Sequence, residues 1–167
     1  MRKIVVTATL LAFLGTWPAW AGSDHKADME AMKAEFSKCL MCKNWIPIID
    51  TVMPVMQTEF VTLDNGMAMV HTVSDPAKVK LLHEANAKMG ESAKACMALS
   101  DADAPKQLCM LCQDIRSVAK AGAQVSHGST KTGDMLVIAS ADPKVQAQIS
   151  TLKAKCASMM ASEHSSH

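Results

Sequence analysis

The chain predicts an α+β fold: an internally duplicated helix-strand-strand-helix unit whose two hairpins join in a four-stranded antiparallel sheet packed with helices. Three observations carry this. Cys39-Leu40-Met41-Cys42 recurs as Cys109-Met110-Leu111-Cys112, an offset of 70 residues. Gly66-Met67-Ala68-Met69-Val70 matches Gly133-Asp134-Met135-Leu136-Val137, and Asp75-Pro76 matches Asp142-Pro143, both at an offset of 67. Apolar residues recur at helical spacing before each hairpin signal, and an aspartate-proline helix start follows each one. The three-residue difference between the offsets falls between the cysteine pair and the glycine, where a loop absorbs it.

The first element is one of targeting. Met1 to Ala21 carries Arg2 and Lys3, an apolar run from Ile4 to Leu14, and Ala19-Trp20-Ala21 as a small-x-small cleavage site, the pattern of a secretory signal. The run is too short to span a bilayer, and no later stretch is long and uncharged enough, so no membrane span is expected in the mature chain. The expected location is the periplasm or the exterior. Of 167 residues, 146 remain after the first 21, enough for one domain around a core. Losing Arg2 and Lys3 leaves 15 basic residues against 16 acidic ones, a balance that argues against nucleic acid as a partner.

In the first repeat, residues 22–104, Met29, Met32, Phe36, Cys39, Cys42, Ile46, Ile49, Met53 and Met56 recur at steps of three and four, one face of a helix. Pro47 should kink or split it. Thr58 to Asp64 and Met67 to Ser74 are β-rich and are joined by Asp64-Asn65-Gly66, whose Asn and Gly accept positive φ in a tight turn. Asp75 then caps a helix with Pro76 at its first position, running toward Leu99. Ser100 to Ala104 links the repeats. In the second, residues 105–167, Pro105 starts a helix that Gly122 ends. Ala123 to Ile138 reads as a hairpin turning at Lys131-Thr132-Gly133, and Asp142-Pro143 opens the last helix.

The cysteines are the candidate chemistry. Residues three apart share a helical face, so Cys39 stands beside Cys42 and Cys109 beside Cys112, with the first pair on the apolar stripe. A mid-helix pair at this spacing does not readily close on itself as a disulfide. Each pair must then find a partner elsewhere, hold a metal or stay reduced. Cys96 and Cys156 lie in the second helix of their repeats, seven residues out of equivalence, and either can join the site or staple first helix to last. All six, Cys39, Cys42, Cys96, Cys109, Cys112 and Cys156, are disulfide candidates, and sequence does not choose among their connectivities.

Thiolates and thioethers suit soft ions, Cu(I) first and Zn(II) second. The chain holds 14 Met, no Tyr and three Phe, so sulfur fills space that aromatics usually fill. Met67, Met69 and His71 alternate along one strand and project from one face, a donor set for Cu(I). Their counterparts, Asp134, Leu136 and Ile138, include two ordinary core residues, so core packing competes for Met67 and Met69. The tail from Met159 to His167 puts His164 and His167 one turn apart in a stretch expected to fray. His25 is expected in solvent, His83 at a boundary, and His127 on a strand.

The stretch Cys39-Leu40-Met41-Cys42-Lys43-Asn44-Trp45-Ile46-Pro47-Ile48-Ile49-Asp50 resembles the thioredoxin active-site helix: C-x-x-C-K, three residues, a proline, apolar residues and an acid. The resemblance implies Cys39 as a nucleophile at a helix start and Cys42 as its resolving thiol, with a redox protein as partner. No Ser-His-Asp order, phosphate loop, HExxH helix or paired catalytic carboxylates stand out, so hydrolysis and phosphoryl transfer have no support. The expectation is an exported, non-enzymatic protein binding a soft metal through its paired thiols. Its alternatives are a thiol-disulfide oxidoreductase and a disulfide-stapled interaction module without chemistry. Oligomeric state is not legible.

Overall fold

The structure, a computed structural model, describes residues 24–165 and the side chains of residues 29–158. The targeting segment, His167 and the side chains of His25, Met159, Met160 and His164 lie outside these residues. The fold is α+β. Its elements run α1 (Asp24–Lys38), a 3-10 segment (Cys42–Ile48), α2 (Ile49–Val52), a short 3-10 turn (Met53–Val55), β1 (Met56–Leu63), β2 (Gly66–Val73) and α3 (Pro76–Ala98). After these come α4 (Ala104–Gln107), α5 (Met110–Lys120), β3 (Gln124–Ser129), β4 (Gly133–Ala139) and α6 (Pro143–Ser165).

The long first helix of the sequence reading is broken earlier than expected. It stops at Lys38, and the chain turns through Cys39-Leu40-Met41 before re-entering as 3-10 helix, so the break falls at the cysteine pair and not at Pro47. The Asn44 side-chain amide donates to the Met41 carbonyl at 2.9 Å, taking an acceptor that an α-helix would use. Pro47 lies inside the 3-10 segment, where its missing N–H removes another α-helical bond.

The caps follow the sequence closely. Asp75 accepts from the Ala77 N–H at 3.0 Å, and Asp142 accepts from the Lys144 N–H at 2.8 Å, each just ahead of a proline at the helix start. Gly122, with φ of 107°, ends α5 in the left-handed region that glycine enters without strain.

The sheet order is β1-β2-β4-β3, every pair antiparallel. Exchanging the two hairpins leaves the central register unchanged: Gly66 faces Ala139, Thr72 faces Gly133, and Met69 and Leu136, positions 67 apart, face each other. The Asp64-Asn65 turn differs from expectation, since among the described residues no non-glycine has positive φ and Gly66 does not either. Gly66 is needed for close approach. A Cβ there would stand 2.0 Å from the Ile138 carbonyl oxygen, and one at Gly133 would stand 1.8 Å from that of His71.

Alternation puts Met67, Met69, His71 and Val73 of β2 on the face that the helices cover. Val73 packs with Val79, Leu82 and Ala85 of α3 and with Trp45, Ile48 and Val52. Met67 and Ile138 pack with Val118 of α5 and with Val145, Ile149 and Leu152 of α6. Inside the first cluster the Trp45 indole N–H donates to the buried Asn86 Oδ1 at 2.7 Å, which satisfies both groups.

Candidate metal centre

A third cluster is built of sulfur: Cys39, Cys42 and Cys96 are buried together with Ala104 and Leu108, and Cys109 and Cys112 pack against them. Two backbone arrangements bring the pairs in. The Leu40 N–H donates to the Gln107 carbonyl at 2.8 Å, tying the turn after α1 to the turn before α5. Arg116 of α5 is itself buried and clamps the end of α3. Its Nε donates to the Cys96 carbonyl at 3.0 Å, Nη1 reaches Asp101 Oδ1 at 2.9 Å, and Nη2 bonds the Leu99 carbonyl. The chain from Cys96 to α5 is thereby folded back on itself, and Cys109 lands as the residue that caps α5.

The result is one four-thiol site. The Sγ atoms of Cys39, Cys42, Cys109 and Cys112 all lie within 4.8 Å of one another, and Cys42 Sγ is 3.6 Å from Cys109 Sγ and 3.5 Å from Cys112 Sγ. Four sulfurs about 2.3 Å from a tetrahedral ion stand about 3.8 Å apart, so the cluster has the size of a single-ion site. Neither pair is mid-helical as the sequence suggested. Cys39 and Cys42 flank a turn, and Cys109 precedes α5 with Cys112 in its first turn; in both, the break in the helix lets two sulfurs converge on one point.

The electrostatics explain why such a cluster calls for a cation. Hydrogen bonds from Cys109, Cys112 and Cys42 hold the Cys39 thiol far below the usual thiol range, and Cys109 is lowered chiefly by Cys112. Cys42 is pushed up, first by its bond to Cys109, and Cys112 likewise. The shifts run in opposite directions within each pair because adjacent like charges oppose each other's ionisation. A positive ion among them would favour the thiolate form of all four.

Of the remaining sequence candidates, only Cys96 joins this neighbourhood. It is outside the four-sulfur group, and burial raises its pKa. Cys156 lies apart, buried with Met67, Val118 and Leu152, and burial raises it too. Among the described residues the six cysteines are free thiols. Met67 is buried in the apolar cluster under α6 and Met69 packs against it, whereas His71 turns to Asp134 at 2.7 Å and lies edge-on to Trp45. His83 Nε2 meets the Gly133 carbonyl at 2.7 Å.

The resemblance to thioredoxin is confined to the motif. A helix, not a strand, leads into Cys39, and Cys39 sits in a turn instead of starting an α-helix. Sequence reasoning missed Arg116, whose clamp leaves no periodic trace. It also missed the buried partnership of His71 with Asp134, for which one signal was present: a charged residue, Asp134, 67 positions after Met67. The Asp134-Leu136-Ile138 alternation places that charge on the buried face.

These features define a four-cysteine group able to hold a metal ion in an α+β domain, and no family model, curated protein or solved structure matches the chain.

Proposed function

We propose that this is an exported, non-enzymatic protein that holds one soft metal ion between two cysteine pairs. In this reading a signal segment, residues 1–21, precedes two copies of one unit, 22–104 and 105–167, and the mature chain acts in the periplasm or outside the cell. The observation that carries the proposal is the mutual approach of Cys39, Cys42, Cys109 and Cys112 within 4.8 Å, from positions 67 to 73 residues apart.

The donor set revises the order of metals read from sequence. Four thiolates around Zn(II) leave a net charge of −2, and around Cu(I) −3, in a largely buried site; a four-cysteine set is also that of structural zinc. The case for Cu(I) drew on Met67, Met69 and His71, which pack away from the four thiols. Zn(II) is therefore the first ligand and Cu(I) the competitor.

The test is metal analysis and competition titration of the folded protein against the Cys39→Ser/Cys42→Ser variant. One tightly held ion per wild-type chain, retained through gel filtration, is expected, with affinity lost by orders of magnitude in the variant. Equal affinities would refute the assignment. Alkylation and intact mass under denaturing, non-reducing conditions with a chelator supply the second arm. Four or six labels support a protected thiolate site, and zero labels mean three disulfides and no such site. A second reading, thiol-disulfide exchange, draws on Cys42 lying within reach of both Cys109 and Cys112. It predicts turnover with a dithiol and a potential in the redox-active range.

A further inference from the structure

The sheet carries a second cluster of ligand-type side chains, away from the sulfurs. His71 of β2 is the cross-strand partner of Asp134 of β4, and His127 of β3 pairs with Leu136, one diagonal step from Asp134 on the same face. Asp134 is 1% exposed, unusual for a carboxylate on an apolar strand. Its two oxygens are in different situations. Oδ1 is bonded to His71 Nδ1 at 2.7 Å, while Oδ2 has no hydrogen-bond partner among the described residues. His127 Nε2 stands 3.4 Å from that bare oxygen.

This distance is informative. A charge-assisted N–H to carboxylate bond is about 2.7–2.9 Å long, so at 3.4 Å the pair is not making one. Two ligand atoms each about 2.0–2.1 Å from a tetrahedral ion stand about 3.3–3.4 Å apart. Asp134 Oδ2 and His127 Nε2 thus have the separation of two ligands of one ion. His71, on the other oxygen, fixes the carboxylate as outer partners of metal ligands do. The His71 side chain is 12% exposed and that of His127 40%, so the ion would enter from the His127 side.

We propose that His127 and Asp134 form a second site for a borderline divalent ion such as Zn(II), reached past the partly exposed His127 ring, with His71 as positioning residue. Imidazole and carboxylate suit such ions, and a buried carboxylate oxygen left bare is the cost that the ion removes. With only two protein ligands, this site binds more weakly and exchanges faster than four thiolates. It does not depend on the four-thiolate reading.

The test uses the full mature chain. The protein is saturated with Zn(II), freed of excess by gel filtration, and titrated with Zn(II) alone in a calorimeter. One further equivalent is expected in wild type and its loss in His127→Ala, a change on a partly exposed edge-strand side chain that leaves the fold intact, as thermal melting would verify. His71→Gln should keep the stoichiometry and weaken the event about tenfold. Absence of a further equivalent in wild type overturns the proposal. So does an equivalent unchanged in His127→Ala, which would belong to other histidines such as His25, His164 or His167. Failure of the four-thiolate site shows separately, as no zinc retained after gel filtration.

Discussion

Replacing Gly133 by alanine should break the centre of the sheet. The added Cβ would stand 1.8 Å from the His71 carbonyl oxygen and 2.8 Å from its carbon, both backbone atoms that no rotamer change can move. Restoring a separation of about 3.0 Å requires β2 and β4 to part by about 1.2 Å at that end, enough to stretch ladder bonds of about 2.9 Å past useful length. Overpacking costs about 1–3 kcal/mol and each lost bond about 1 kcal/mol, so a loss of about 2–4 kcal/mol is expected from a total of about 5–15 kcal/mol. Gly128→Ala is the control. Nothing lies within 4 Å of its added Cβ and its φ is not left-handed, so lowered chain entropy should stabilise by about 0.4–1 kcal/mol. Urea denaturation of both variants measures the contrast. If Gly133→Ala unfolds at the same midpoint as Gly128→Ala, the close approach of β2 and β4 is wrong, and with it the register that places His71 opposite Asp134.

Further outcomes can be stated. Asn86→Ala strands the buried Trp45 N–H and should cost about 1–3 kcal/mol. Trp45 is the one tryptophan after residue 21, so in a chain lacking residues 1–21 its fluorescence follows the unfolding directly. Cys156→Ser should leave the metal count per chain unchanged, because Cys156 is buried with Val118 and Leu152, whereas Cys112→Ser should lower affinity sharply in the same titration. Hydrogen bonds from Lys120 and then Arg116 hold the Asp101 carboxyl below its usual range. Its contribution is therefore present above the unfolded-state value and is lost as pH falls through the lower folded value. Asp101→Asn should flatten the acid limb of a stability-versus-pH curve, and an unchanged limb would dismiss this linkage.

Elements with a local cause were legible in the sequence. The aspartate-proline caps of α3 and α6 and the end of α5 at Gly122 follow from residues that act within one turn of themselves. The four-stranded antiparallel sheet followed from two hairpins and the helix spacing around them. What could not be read depends on contacts between distant segments. The break at Cys39 needs the Leu40 bond to Gln107 as well as the local Asn44 side chain, and periodicity alone extends the helix straight through it. Gly66 illustrates a right residue read for the wrong reason: glycine is required there, but by a carbonyl 72 residues away in the chain and not by the turn beside it. The candidate site was legible as two separate pairs. Their convergence depends on Arg116 and on the Leu40 bond to Gln107, neither of which leaves a local pattern.

That the four thiols come from positions 67 to 73 residues apart has a consequence for how the chain reaches its final state. Neither cysteine pair is completed by its own neighbours, so the four-sulfur group requires contact between distant segments, the kind of contact that slows folding. Until then each pair is open to whatever thiol chemistry surrounds it. In an oxidising compartment, folding and mispairing become a race, and an ion that captures the four thiolates withdraws the winners from further exchange. The supply of metal during folding, more than the strength of the finished site, would then set how much of the chain matures correctly.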